Sequence, residues 1–267
     1  MTRILGVDFS GARDAGRKIW IAEGECTGNG ALALRRCVPA VDLPDGGIRP
    51  QQAVPALARH IASLGNARVG CDFPFGLPRD LVTARTWKSF ALRYAAEFAD
   101  ADSFRGIMRS RHNAIEHKRM TDLIAKTPFN SYNLRLYRQT WWGITGLLGP
   151  LVRSGAAIVR PQQKFGTDKP VLIEVCAACT LKSIDLYPPY KGKRPAHRRA
   201  RTHILEHFID TGKLAAPARA LRRLLVDNEG GDALDAVIGA VATARADLTK
   251  EADPYQRLEG RVYFEIG

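Results

Sequence analysis

The feature that most constrains the fold of this chain is an apolar strand ending on an aspartate, and it occurs twice. In "RILGVDFSGA" (3–12), Ile4, Leu5 and Val7 read as a buried strand that delivers Asp8 near its end. In "ARVGCDFPFGLP" (67–78), Val69, Gly70 and Cys71 lead into Asp72, and the Pro-Phe-Gly-Leu-Pro that follows ends the strand. A carboxylate beside a core strand is costly unless its charge is compensated. Any fold for this chain must therefore supply a partner for two acids, each at the C-terminal end of a strand.

The surrounding pattern predicts the rest of the sheet. "RKIWIAEGE" (17–25) and "ALALRRCVP" (31–39) read as two further strands separated by the turn signal "GNG", which predicts an antiparallel three-strand meander. Residues 51–65 place Val54, Leu57, Ile61 and Leu64 at helical spacing, with Pro55 expected in the first turn. Residues 79–155 are helical in pattern, and almost a hundred residues separate Asp72 from the next strand, "KPVLIEVCAA" (169–178). A gap of that length predicts an inserted helical element rather than a loop. A basic segment (190–208), a strong helix in "GGDALDAVIGAVATARA" (230–246) and a closing strand in "GRVYFEIG" complete the chain. The expectation is one α/β domain over 1–267, a mixed sheet flanked by helices, with a helical insertion at about 79–155.

With 45% hydrophobic residues, a packed core is expected and wholesale disorder is not. Lys and Arg number 40 against 27 Asp and Glu, a formal charge of +13 that suits a polyanionic partner, although solubility alone also explains such an excess. No apolar run reaches the ~20 residues of a membrane span, and no segment has signal-peptide character. The five cysteines are odd in number and scattered, as expected of reduced thiols in a cytoplasmic protein. Cys176 and Cys179 form a C-x-x-C without a second pair at zinc-site spacing, so no metal or redox role is assigned to them.

Acids recur in the core elements. Glu174 interrupts "VLIEV", and Asp232 and Asp235 lie three apart on one face at the start of a helix. Each has an ordinary explanation, in turn chemistry for Asp8 and Asp72 and in favourable helix-start charge for Asp232. Glu174, inside an apolar strand, is harder to explain in this way. Gathered together, such acids would raise one another's pKa values, and hard divalent cations such as Mg²⁺ or Mn²⁺ relieve that. A pair of ions ~3.5–4 Å apart supports in-line displacement at phosphorus.

The order of "GVDFSGA", "GCDFPFGLP", "LIEVCAACTLK" and "GDALDAVIGAVATA", closed by "LEGRVYFEIG", resembles the family called domain of unknown function 429, described as predicted nucleases of RNase H fold. The resemblance implies an RNase H-like sheet with Asp8 as the central metal-bridging carboxylate, Asp72 as the acid of the fourth strand and Asp232 or Asp235 as the acid of the last helix. Glu174 falls where such families often carry Glu followed by His or Tyr and Pro, and here Cys176, Ala177 and Ala178 follow instead. The implied catalytic set is Asp8, Asp72, Glu174, Asp232 and Asp235, with Asp8, Asp72, Glu174 and Asp232 on Mg²⁺ or Mn²⁺.

A polyanionic substrate needs a grip. Arg105, Arg109, Arg111 and Arg119 in one segment, and Lys191, Lys193, Arg198 and Arg199 in another, are the nucleic-acid-binding candidates, although each cluster also reads as a solvated basic face. Trp87, Trp141 and Trp142 read mainly as packing residues. His112, His117 and His203 are candidates for proton transfer, with nothing in the sequence to hold them near the acids. The function expected is a two-metal-ion nuclease. Alternatives are a phosphotransferase or ATPase of the actin and sugar-kinase group, with "GVDFSGA" as a phosphate loop, and a catalytically silent nucleic-acid-binding protein.

Overall fold

In the computed structural model, described for residues 2–111, 116–164, 166 and 168–266, a seven-stranded sheet carries helices on both faces. Strands β1 (Arg3–Asp8), β2 (Trp20–Cys26) and β3 (Leu32–Pro39) form the expected antiparallel meander, bulged at Glu23 and Gly24. Strand β4 (Ala67–Asp72) joins β1 in parallel, and β6 (Val171–Val175) joins β4 in parallel. The short β5 (Ile158–Val159) and β7 (Val262–Tyr263) both pair with the outer edge of β6, so the expected closing strand is only two residues long.

The helices are α1 (Ala15–Lys18), α2 (Pro50–Ala62), α3 (Trp87–Glu97), α4 (Ala101–Arg111), α5 (Met120–Ala125), α6 (Tyr137–Trp142), α7 (Gly149–Ser154), α8 (Ala177–Ser183), α9 (Pro195–Asp210), α10 (Arg219–Asp227), α11 (Asp232–Arg245) and α12 (Pro254–Glu259). Helix α2 begins at Pro50, which takes the first-turn position where a missing N–H costs little. Pro55 therefore falls in the second turn, one turn later than expected.

Strand alternation divides the core in two. Leu5, Val7, Val69, Cys71 and Leu172 point to the face covered by α2 and the insertion helices α3, α4, α6 and α7. Ile4, Ala22, Ile173 and Val175 point to the other face, against α8–α11. Trp87 and Trp141 are packing residues in the first layer, their indole N–H groups donating to the carbonyls of Phe75 and Phe98 at 2.7 and 3.0 Å. Among the described residues, no helix is long and apolar enough to cross a membrane.

Helix α11 lies close on β1 and β4 because two glycines let it. A Cβ on Gly6 would stand 2.1 Å from the Ala236 carbonyl oxygen, and one on Gly70 would stand 1.9 Å from Thr243 Oγ1. Each glycine precedes its strand's terminal aspartate by two residues, so it shares that aspartate's face. The close approach that the glycines permit therefore brings the start of α11 toward Asp8 and Asp72.

Candidate active site

Asp8 and Asp72 are register partners at the C-terminal ends of adjoining parallel strands. Gly6, Gly70 and Ile173 sit two residues before them in register, on the α11 face of the sheet. One residue later in that register, Cys71 pairs with Glu174, so the Glu174 side chain points to the opposite face. Although this alternation turns it to the opposite face, Glu174 lines the same pocket as Asp8 and Asp72, and its charge helps to raise Asp72.

On its own face, Glu174 is fully engaged. It is 3% exposed, Arg119 donates to Oε1 at 2.5 Å and to Oε2 at 2.8 Å, and the Phe75 N–H adds a bond to Oε2 at 2.9 Å. The remaining donors of Arg119 go to Asp122, at 2.9 and 2.7 Å, and to the Glu259 carbonyl at 3.1 Å. Arg119 is 1% exposed, so its assignment to nucleic-acid binding is corrected: it is a buried counter-ion that ties the insertion to the sheet. Burial alone would weaken its charge, yet Asp122 and Glu174 hold the guanidinium firmly protonated.

Asp235 completes the acid group. Helix α11 starts after Gly231, whose φ of 79° is left-handed, and α11 places Asp235 in its first turn at 4% exposure. Tyr190 Oη donates to its Oδ1 at 2.6 Å, and Lys191 Nζ sits 2.6 Å from its Oδ2. Asp232 stands at the helix start, half-buried, with Lys18 Nζ at 3.7 Å. Asp8, Asp72, Asp235, Lys191 and Gln139 line one pocket of about 230 Å³ together with Glu174, Asp122 and Arg119, and Gln139 donates to the Asp72 carbonyl.

The charge in this pocket is only partly compensated. Burial, then Asp235, Asp72 and Asp232, push the Asp8 carboxyl well above the usual carboxylate range, with Lys191 opposing. Burial also pushes Asp72 up to about 7, against the pull of the Ala177 N–H at 3.2 Å. Burial raises Asp235 as well, despite Lys191 and Tyr190. Among the described residues, no group donates a hydrogen bond to the Asp8 carboxylate.

Among the described residues, no group of three or more His, Cys, Asp and Glu side chains forms a ready-made metal cage. The donor set nevertheless fits a hard cation. Mg²⁺ keeps several waters and takes one or two protein carboxylates, with phosphate oxygens completing its shell. Asp8 and Asp72 offer two adjacent carboxylates of that kind, whereas Glu174 is saturated by Arg119 and Asp235 by Tyr190 and Lys191.

The basic residues distribute unevenly. Arg109 and Arg199 are exposed without an ion-pair partner among the described residues. Lys193 lies 3.8 Å from Glu229, Arg198 pairs with Asp227 at 2.9 Å, and Arg111 pairs with Glu97 at 2.8 Å. Arg105 stacks over the Tyr137 ring, and Lys191 belongs to the acid pocket itself. Arg201, within the second basic run, is 2% exposed and bonds the Tyr190, Gly192 and Val226 carbonyls.

His112 lies outside the described residues. Cys176 caps α8, accepting from the Cys179 N–H at 3.2 Å, and both thiols are free. Sequence reasoning missed Tyr190 and Gln139, and did not foresee that Lys191 also contacts Asp235. Glycine two residues before each strand aspartate was the available signal for the packing of α11. No protein-family model matches the chain, and neither curated proteins nor solved structures give a match.

Proposed function

We propose that this chain is a divalent-cation-dependent nuclease on an RNase H-like sheet, as its resemblance to the domain of unknown function 429 implies. One observation carries the reading: two in-register aspartates at adjoining strand ends face a third buried aspartate on the start of α11, with too few counter-charges among them. The sheet order, a three-strand meander followed by parallel strands, is consistent with the RNase H-like arrangement.

Asp8 and Asp72 would hold Mg²⁺ or Mn²⁺ with its waters. The bound ion supplies an acidified water and a polarised phosphoryl oxygen. Asp235 keeps Lys191 at the pocket, and Gln139 steadies the end of β4 through the Asp72 carbonyl. Arg109, Lys193 and Arg199 are exposed cations available to backbone phosphates, a grip that weakens with salt. A phosphotransferase loop at "DFSGA" is less well supported. Ser10 accepts from the Ala12 N–H at 3.3 Å, and a Cβ on Gly11 would stand 2.4 Å from the Arg138 main chain, so this turn packs on α6 instead of opening around a phosphate. A silent binding module leaves the paired aspartates without a purpose.

The test is cleavage of single- and double-stranded DNA and RNA with Mg²⁺ or Mn²⁺. Wild type should cut at least one of these substrates, and Asp8→Asn should lower the rate by about a hundredfold or more. Equal cleavage by both proteins, or none by wild type on any substrate, contradicts the reading.

A further inference from the structure

Lys191 reaches the acid pocket from the surface, its side chain half-exposed and its main chain firmly held. Its ammonium lies 2.6 Å from Asp235 Oδ2, while Tyr190 Oη occupies Oδ1 at the same distance. The segment that carries both residues is fixed on two sides. Buried Arg201 bonds the Tyr190 carbonyl at 2.6 Å and the Gly192 carbonyl at 3.0 Å. The Gly192 N–H donates to the Glu229 carbonyl at 2.7 Å, tying the segment to the turn before α11. Gly231 in that turn has no side chain, and a Cβ there would reach within 3.0 Å of the Tyr190 ring and 3.2 Å of Lys191 Cγ. Surface lysines are not ordinarily held by so many contacts of the backbone that bears them.

Charge balance gives this placement a meaning. Lys18 stands against Asp232, and Glu174 and Asp122, which also line the pocket, share Arg119, which leaves Asp8, Asp72 and Asp235 as the acids on the Lys191 side of the pocket. Lys191 cancels one of these three charges, and the remainder equals the charge of one divalent cation. A second divalent ion would have to share Asp235 with an ammonium already in contact with it, and like charges at that range repel strongly in a partly buried site.

We propose that the Lys191 ammonium is the resident second cation of this site, so that the chain binds a single divalent ion on Asp8 and Asp72. The proposal rests on the cation-dependent reading above and narrows it from two ions to one. Lys191 then provides a fixed positive charge at the Asp235 side of the pocket, where a phosphate oxygen can be met by an ammonium with three donors.

The experiment is a titration of the full chain with Mn²⁺ alone at pH 8, reading free Mn²⁺ by electron paramagnetic resonance, with circular dichroism melts to confirm folding. Wild type and Lys191→Arg should each take one ion per chain. Lys191→Met should take two, and Asp8→Asn should bind about tenfold more weakly or not at all. Two ions on wild type, or one on Lys191→Met, overturns the proposal while leaving cation dependence intact. No binding by wild type overturns both.

Discussion

The molecule contains two neighbouring groups of buried carboxylates that border one pocket, and they differ in how their charge is met. Beneath the insertion, Glu174 and Asp122 share the Arg119 guanidinium, and Glu259 accepts the N–H groups of Arg79 and Met120 at 2.8 and 2.7 Å. Every acid there has its donors. Beneath α11, Asp8 has none, Asp72 has the Ala177 N–H, and Lys191 is the one ammonium in contact with Asp235 among the described residues. The first group is complete as folded and acts as a structural tie. The second stays short of positive charge, and this shortfall is what supports the proposed cation site.

The sharpest way to break this comparison is to remove the cation of the saturated side. Arg119→Ala leaves Glu174 and Asp122 buried without a partner, and should cost about 4 kcal/mol in urea unfolding. A loss under about 1 kcal/mol would show that the network is not a structural tie. Gly6→Ala attacks the other side through packing. Its new Cβ meets the backbone of α11, so a loss of about 3 kcal/mol is expected, with weakened Mn²⁺ binding as α11 is pushed from the sheet.

The acids themselves should respond with the opposite sign. Asp72 has a folded pKa of about 7 against an unfolded value near 3.8, so the native state holds the extra proton between those limits. Stability of the cation-free protein is then full below the unfolded value and falls as pH rises through about 7. Asp72→Asn should flatten this decline and gain about 2 kcal/mol at pH 8, read by urea unfolding with a chelator present. A loss of stability in that variant would mean that the pocket is already compensated. The smallest effect concerns the grip. Arg199→Ala should leave stability unchanged and reduce the salt slope of oligonucleotide binding by about one unit, measured by fluorescence anisotropy.

Much of this arrangement is legible in the sequence, and the rest is hidden for identifiable reasons. The meander, the helix after it, β4, β6 and α11 follow from apolar periodicity and turn residues, which are local signals. The phase of Glu174 is not local. It depends on the register between β4 and β6, set by some hundred residues of intervening chain, and one position of slip exchanges the faces. Arg119 and Arg201 show a related difficulty. In the sequence they are two more cations in basic runs, and burial against carbonyls and carboxylates is established only by the tertiary fold. Lys191 was legible as a cation, but its partner on α11 lies beyond α9 and α10 in the chain.

The most direct test of the contrast between the two groups is the melting temperature at pH 8 with and without Mn²⁺, compared for wild type, Asp8→Asn and Glu174→Gln. A ligand that binds only the native state stabilises it by mass action, so the rise on adding Mn²⁺ reports the site independently of each variant's starting stability. The account predicts a rise of several degrees for wild type and for Glu174→Gln, and none for Asp8→Asn. A rise that survives in Asp8→Asn and vanishes in Glu174→Gln would place the cation on the wrong group and contradict it.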